Sequence, residues 1–398
     1  MRILYHHRTS AGDGQGVHIR SLQRAFRELG HDVFEVSLVA SSDEAKPKEP
    51  QKQASGGWNV MGRLPRFARE LAEYAYTSFG RPRIIAAANR HEPDFIYERY
   101  AFGNGAGVAA AQRLGLPLVL EVNSPMVLEL SRTRGLSFPG TARRMEDWIW
   151  KSADRVCVVT QVLGDMVAER GVERSRIFVT PNGVHPESYD YASDARERAR
   201  AALGLGPDAT GPVLGFVGFY REWHRLDLVL AALARPELAS ARLVLVGEGP
   251  AHDALVAQAA ELRISERIHF AGPRPHDSIP ALLPAFDLAL VPAINPYASP
   301  LKLFEYMAAG LASIAPDQPN LREVLEQDRN ALLVTPGDGE SLRAALERLV
   351  NDVALRERLG ARARADVLER DLTWRGNARR VIEVASELVA ERRRNRRK

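Results

Sequence analysis

Short apolar runs alternate along this chain with longer segments whose apolar residues recur every three or four positions. "RILYHH" at the start is an apolar run of strand length, and glycine-rich "RTSAGDGQG" follows it. "VHIRSLQRAFRELG" then has the apolar spacing of a helix and ends on Gly30, a C-cap signal. "HDVFEVSLV", "PDFIYERY", "LPLVLEVN" and "ADRVCVVT" read as further strands, with "GAGVAAAQRLG" and "ARRMEDWIWKS" as helices among them. Such alternation predicts a parallel sheet with helices on both faces. The pattern restarts near residue 212 with "PVLGFVG", "HRLDLVLAALA", "ARLVLVGEG", "AHDALVAQAAELRI" and "RIHFAG", then "SIPALLPAF", "DLALVP", "PLKLFEYMAAG", "ASIAP" and helices to the end. Between the two series, "ARERARAALGLGPDATG" reads as a charged helix and a Gly/Pro loop, a boundary region. The expected fold is α/β, with two doubly wound Rossmann-like domains over residues 1–187 and 188–371. Residues 41–57, "SSDEAKPKEPQKQASGG", read as a mobile polar loop. There is no short repeat of solenoid type. Ligands of open parallel sheets bind beyond the carboxyl ends of the strands, so two such domains facing one another would share a cleft lined by strand-end loops.

Composition narrows the class. The chain has 398 residues, 45% hydrophobic and 26% charged, which is globular. No apolar run approaches the roughly 20 residues needed to span a bilayer. "MRILYHH" lacks the apolar stretch and cleavage site of a signal peptide. The lone cysteine, Cys157, excludes an internal disulfide, fits a reducing cytoplasm and reads as an inert core thiol in "RVCVVT". The net charge of +4 is terminal in origin: "RRRNRRK" carries six cations, and without it the formal charge would be −2. Such a tail can touch anionic lipid or nucleic acid, or be a solvated, frayed helix end.

Candidate chemistry sits in the loops after strands. "GDGQG" (Gly12, Gly14, Gly16) lets backbone amides approach a phosphate or sugar at a helix start. It also reads as a plain tight turn, or as a dinucleotide fingerprint with Glu35 as the ribose acid, although Val17 stands where that fingerprint has its third glycine. In "GFVGFYREWHRLD", Gly218 precedes Arg221, His224 and Arg225, a spacing that suits a diphosphate or a solvated helix start. "LVGEGP" places Gly247 at another strand end, open to a flat ring or ribose. In "YASPLKLFEYMAAG", Lys302 and Glu305 share a helix face and can form a salt bridge. The same helix start, Ser299, Pro300, Leu301 and Lys302, can instead meet a diphosphate while Glu305 accepts from ribose hydroxyls.

Taken together these segments resemble glycosyltransferase family 4, retaining enzymes of the GT-B fold, over nearly the whole chain. "SPLKLFEYMAAG" resembles the segment that ends in the family's second acid, matched by Glu305. "VTPNGV" resembles its interdomain motif, and "VGFYREWHRLDLVL" its phosphate-binding stretch. "LVGEGP", "FAGPRP" and "DLALVP" match its succession of strands. The resemblance implies a nucleotide-diphosphate-sugar donor and a glycan or lipid-linked acceptor of bacterial surface polysaccharide or glycolipid synthesis. It also implies a last helix, about 372–398, that packs back on the first domain. The family's first acid falls here on Tyr297, its arginine and lysine roughly on Phe219 and His224, and its first-domain histidine on Asn123, beside Glu121. Lys302 and Arg221 are then expected to stabilise the leaving diphosphate, with Arg225 as a further candidate cation, and Asn123 and Glu121 to complete the catalytic set. No Asp-x-Asp triplet occurs, so no metal and no cofactor are expected. Two alternatives stand beside this reading, a GT-B sugar-nucleotide epimerase and a non-catalytic nucleotide-sugar binder. "WNVMGRLPRFARELAEYAYTSFGRPR" mixes aromatics and arginines at helical spacing (Arg63, Arg66 and Arg69 with Phe67, Leu71, Tyr74 and Phe79). It reads as an interfacial helix or as one packed on its own sheet. The expected setting is cytoplasmic, peripheral on anionic membrane, with no nucleic acid partner.

Overall fold

The computed structural model describes residues 1–9, 14–38, 65–206 and 210–395. The loop expected at 41–57 lies outside the described residues, as do Gly12, Trp58 to Leu64 with Arg63, and the last three residues of the basic tail. The chain divides into two compact units, Met1–Pro181 with Asn377–Lys398, and Asn182–Gly376. The first boundary therefore falls inside "VTPNGV", earlier than 187, because residues just beyond it bond into the second unit. The Asn182 amide donates to Ser299 Oγ at 3.1 Å, the Asn182 side chain donates to the Ser299 carbonyl, and Val184 N donates to Leu372 O at 3.3 Å. At the far boundary the Asn377 side chain donates to the Pro181 carbonyl, which ties the last helix to the first unit from Asn377 rather than 372.

The first unit contains β1 (Arg2–His6), α1 (Gly14–Glu28), β2 (Asp32–Val36), α2 (Arg66–His91), β3 (Phe95–Arg99), α3 (Ala106–Leu114), β4 (Leu118–Val122), α4 (Met126–Thr133), α5 (Pro139–Ser152), β5 (Arg155–Val158), α6 (Gln161–Glu169) and β6 (Ile177–Val179). Its sheet runs β2-β1-β3-β4-β5-β6, parallel throughout. The second unit contains α7 (Ala195–Ala202), β7 (Val213–Val217), α8 (Leu226–Leu233), β8 (Arg242–Val246), α9 (His252–Glu261), β9 (Ile268–Gly272), α10 (Ile279–Leu282), β10 (Leu288–Leu290), α11 (Leu301–Ala308), β11 (Ala312–Pro316), α12 (Pro319–Arg322), β12 (Leu332–Val334), α13 (Gly339–Asn351) and α14 (Val353–Glu369). Its sheet, also parallel, runs β12-β11-β10-β7-β8-β9. The last helix, α15, spans Trp374–Asn395.

Helices on both faces bury these strands, which explains why β4, β7 and β8 read as continuous apolar runs rather than alternating ones. Polar residues enter at the carboxyl ends: His6, Glu98, Arg99 and Glu121 are all buried there. Each sheet reverses direction once, between β1 and β3 in the first unit and between β7 and β10 in the second. Crevices for ligands open at such switch points.

At the opposite edge of the first sheet, α15 lies across the strand starts. Asp94 accepts the Arg2 amide at 2.9 Å and pairs with Arg393 at 3.1 Å. Asp154 accepts the Leu118 amide at 2.8 Å and pairs with Arg392 at 2.9 Å. Two of the tail's arginines thus latch the helix to its own domain, so the whole tail is not a free cationic arm.

Candidate active site

In the second unit the switch point gathers the loops after β7 and β10. Val217 N donates to Tyr306 Oη at 2.8 Å, which fixes the start of the β7 loop against α11. Three glycines then let the strand-end loops nest: Gly218 and Gly247 both have φ of +140° and Gly249 +157°, values that L side chains rarely adopt. A Cβ on Gly247 would lie 2.0 Å from the Gly218 carbonyl oxygen, and one on Gly218 would lie 2.7 Å from Lys302 Nζ. Beside them opens a cavity of about 510 Å³, lined by Gly247, Gly249, Phe219, His252, Phe270 and Pro273 among others. That volume lies within the range of small-molecule sites.

Lys302 stands at this point on the first turn of α11, with its ammonium 3.8 Å from the centroid of the Phe216 ring. Burial pushes its pKa down to about 7, with Glu305 acting weakly in the other direction. The helix salt bridge that the sequence allows is absent. Glu305, itself buried, bonds His276 Nε2 at 2.7 Å instead. Lys302 has no ion-pair partner among the described residues. Pro300 provides no side-chain cap, and Leu303 N donates to the Pro300 carbonyl at 3.1 Å, which leaves the amides of Leu301 and Lys302 at the start of α11 uncapped. Asn182 occupies the Ser299 hydroxyl and carbonyl, and Asn320 holds the preceding loop through the carbonyl of Ala298 at 2.7 Å. Ser299 therefore shapes this site through its backbone. Leu301 follows the cap as the first residue of α11, and Tyr297 is buried at 5% exposure in the loop before it.

The three cationic candidates of the β7 loop separate. His224 is buried. Desolvation first, then Lys302 and Arg221, push its pKa down to about 3, so it is a neutral imidazole and not a stand-in for a lysine. Arg225, at φ +53°, chelates Asp227 with Nε and Nη2 each at 3.0 Å, so its charge is already matched. Arg221 is exposed and forms no ion pair among the described residues. Its guanidinium lies over the rings of Phe219 (4.6 Å) and Trp223 (5.0 Å).

In the first unit Glu121, at the end of β4, is 1% exposed and has four partners. Tyr97 Oη donates at 2.7 Å, Arg99 and Asn123 donate to Oε1, and His18 Nε2 lies 3.2 Å away. Burial alone would raise its pKa, but His18 and Arg99, with the His18 and Tyr97 hydrogen bonds, hold it well below the usual carboxylate range. So stabilised an anion is a poor base, and its contacts hold Asn123 and His18 in place. Gly14 and Gly16 lie in the first turn of α1, not in the loop before it. Glu35, the acid that a dinucleotide fingerprint would use, bonds His7 at 3.1 Å and Gln23 at 3.2 Å. Cys157 is buried, and burial followed by the charge of Glu121 pushes its thiol up to about 12, as an inert core thiol requires.

Sequence reasoning missed two residues, His18 and His276. His18 follows the glycine loop on the first turns of α1, a legible cue. His276 meets Glu305 across 29 residues of chain, and no local pattern announces it.

Residues 12–188 match the description "Glycosyltransferase Family 4" and residues 198–366 "Glycosyl transferases group 1". A D-inositol 3-phosphate glycosyltransferase of Salinispora arenicola is 26% identical, over 96% of this chain and 90% of its own. An MMP alpha-(1->4)-mannosyltransferase of Mycolicibacterium hassiacum is 24% identical over 98% of each chain. The structure of HepE from Anabaena in complex with UDP superposes with a TM-score of 0.72 at 18% identity, covering 97% of this chain and all of that one. Two parallel Rossmann-like units with these neighbours define a GT-B glycosyltransferase. Within that class the chain belongs to glycosyltransferase family 4.

Proposed function

We propose that the enzyme is a retaining, metal-independent glycosyltransferase that takes its sugar from a nucleotide-diphosphate donor. The observation that carries this reading is Lys302: a half-buried ammonium without a carboxylate partner among the described residues, under a glycine and beside the uncapped amides of Leu301 and Lys302. Such a group is incomplete without an anion. The donor's diphosphate supplies one, at Lys302, Arg221 and the first-turn amides of α11. Glu305 accepts from the ribose hydroxyls with the carboxylate oxygen that His276 leaves available. Charge on the diphosphate grows as the glycosidic C–O bond breaks, so preorganised cations favour the transition state over the ground state. The leaving phosphate then takes the acceptor's proton on the same face. In the first unit Asn123, oriented by Glu121, presents an amide to the acceptor. Tyr297 offers a phenol where the family has an acid, so the donor sugar meets a neutral contact.

The acceptor is a glycan or lipid-linked saccharide of a bacterial surface polymer, met on the cytoplasmic side of the membrane. The outer face of α2 supports this. Phe67, Leu71 and Phe79 are about half exposed, while Tyr74 turns inward to Glu70 at 2.9 Å. Both acids of that stretch are turned inward: Glu70 accepts from the Ser137 and Phe138 amides, and Glu73 pairs with Arg8 at 2.7 Å. Arg66, Arg81 and Arg83 remain exposed. An apolar stripe with only basic neighbours suits an anionic interface. No helix among the described residues is long and apolar enough to cross a membrane.

The buried Tyr297 favours one second reading, a protein that binds nucleotide sugar without transferring it. Incubation with labelled UDP-, GDP- and ADP-sugars, with and without acceptor lipid, separates the two. Product that requires acceptor and is lost in Lys302→Ala supports transfer. Binding without product under every condition supports the second reading, and turnover of donor without acceptor would indicate an epimerase.

A further inference from the structure

In the loop after β7, Phe219 directly follows Gly218. Phe219 and Arg221 stand two residues apart in the chain, and the Arg221 guanidinium lies over the Phe219 ring. The short turn Glu222–His224 that follows brings Trp223 to the same guanidinium. The result is one arginine over two rings, at 4.6 and 5.0 Å. Neither ring contributes to a core, since each is 45% exposed. Phe219 also lines the 510 Å³ cavity. Arg221 has no carboxylate partner among the described residues, whereas Arg225, four residues on, is chelated by Asp227.

We propose that Phe219 and Trp223 are positioning residues that hold Arg221 ready for the donor's diphosphate. The proposal rests on the donor reading above and deepens it. A guanidinium held by its face keeps its in-plane N–H donors free, and these are the groups that grip phosphate oxygens in pairs. A free arginine on a surface loop would lose rotamer freedom when it bound; one already held by rings loses less. The depressed pKa of His224, to which Lys302 and Arg221 both contribute, agrees with both cations facing the same buried imidazole.

Two measurements test this on the full-length protein. The first needs no ligand. The Arg221 Nε–H resonance, assigned through its loss in Arg221→Ala, should be shifted upfield by the two rings in the wild type. It should return toward ordinary values in Phe219→Ala and Trp223→Ala, and be retained in Phe219→Tyr and Trp223→Phe. The second is calorimetric titration with UDP, GDP and ADP in turn, continued with whichever binds the wild type best. Phe219→Ala and Trp223→Ala should each weaken that nucleotide about two- to fivefold. In the Arg221→Ala background they should add nothing, because the arginine they serve is gone. The tyrosine and phenylalanine variants should recover the affinity. Equal loss in both backgrounds would show the rings stacking on the ligand itself, and would overturn the clamp while leaving the donor reading intact. An absent ring shift would overturn it too. A normal ring shift with no nucleotide bound by the wild type would instead sink the donor reading, and with it the clamp's role.

Discussion

The two units handle buried charge in opposite ways. In the first, Glu121 is surrounded by Tyr97, Arg99, Asn123 and His18, and its charge is fully answered. In the second, Lys302 lies over a ring with no carboxylate, while the nearest candidate, Glu305, has taken His276. A matched cluster holds its shape without help; an unmatched cation waits for something to bind. The contrast separates a charge matched within its own domain from one that is not, and Glu121 and Lys302 fall on opposite sides of it.

The contrast can be broken from its matched side first. Glu121→Ala leaves Arg99 and His18 without their anion and should cost about 3–5 kcal/mol of stability, the usual penalty for orphaning a buried pair. Urea unfolding monitored by fluorescence checks it; a loss under 1 kcal/mol would mean that the cluster is solvated and the comparison false. Lys302→Ala should do the reverse. It removes an unpaired charge, so stability should hold or rise, while turnover falls about 10²–10³-fold, as when one donor to a developing anion is removed. A variant that is unstable but fully active in its folded fraction would place Lys302 in the scaffold. The smallest effect is expected of Arg225→Ala. That charge is spent on an exposed Asp227 pair, worth about 0–1 kcal/mol, and donor affinity should change less than twofold. A tenfold loss would return Arg225 to the diphosphate site.

Much of this was legible before the structure. Continuous apolar runs marked strands buried on both faces, and the restart near residue 212 marked a second sheet. Lys302 and Arg221 were readable because loops after parallel strands collect ligand groups. What the sequence could not show was pairing. Asp227, two residues from Arg225, offers it a partner, yet only the turn at φ +53° closes that pair. His276 reaches Glu305 only through the packing of the β9 loop on α11, and His224 is pushed toward its neutral form by burial first and then by the charges of Lys302 and Arg221. Boundaries slipped for the same reason: Asn182 belongs to the second unit because of a bond to Ser299, 117 residues away.

Lys302 provides the most direct test of the whole account. With its pKa near 7 in the free enzyme, it is mostly neutral at pH 8. A diphosphate favours its charged form and raises that pKa, so binding at pH 8 must take up a proton. The sign follows from linkage: affinity is full below the free pKa and falls as pH rises between the free and bound values. Calorimetric titration of a nucleoside diphosphate at pH 8, repeated in buffers of different ionisation enthalpy, counts that proton. The account predicts uptake of about one proton in the wild type and about none in Lys302→Ala. Tight binding by the wild type with no proton taken up would contradict it, because the ligand would then be bound without calling on Lys302.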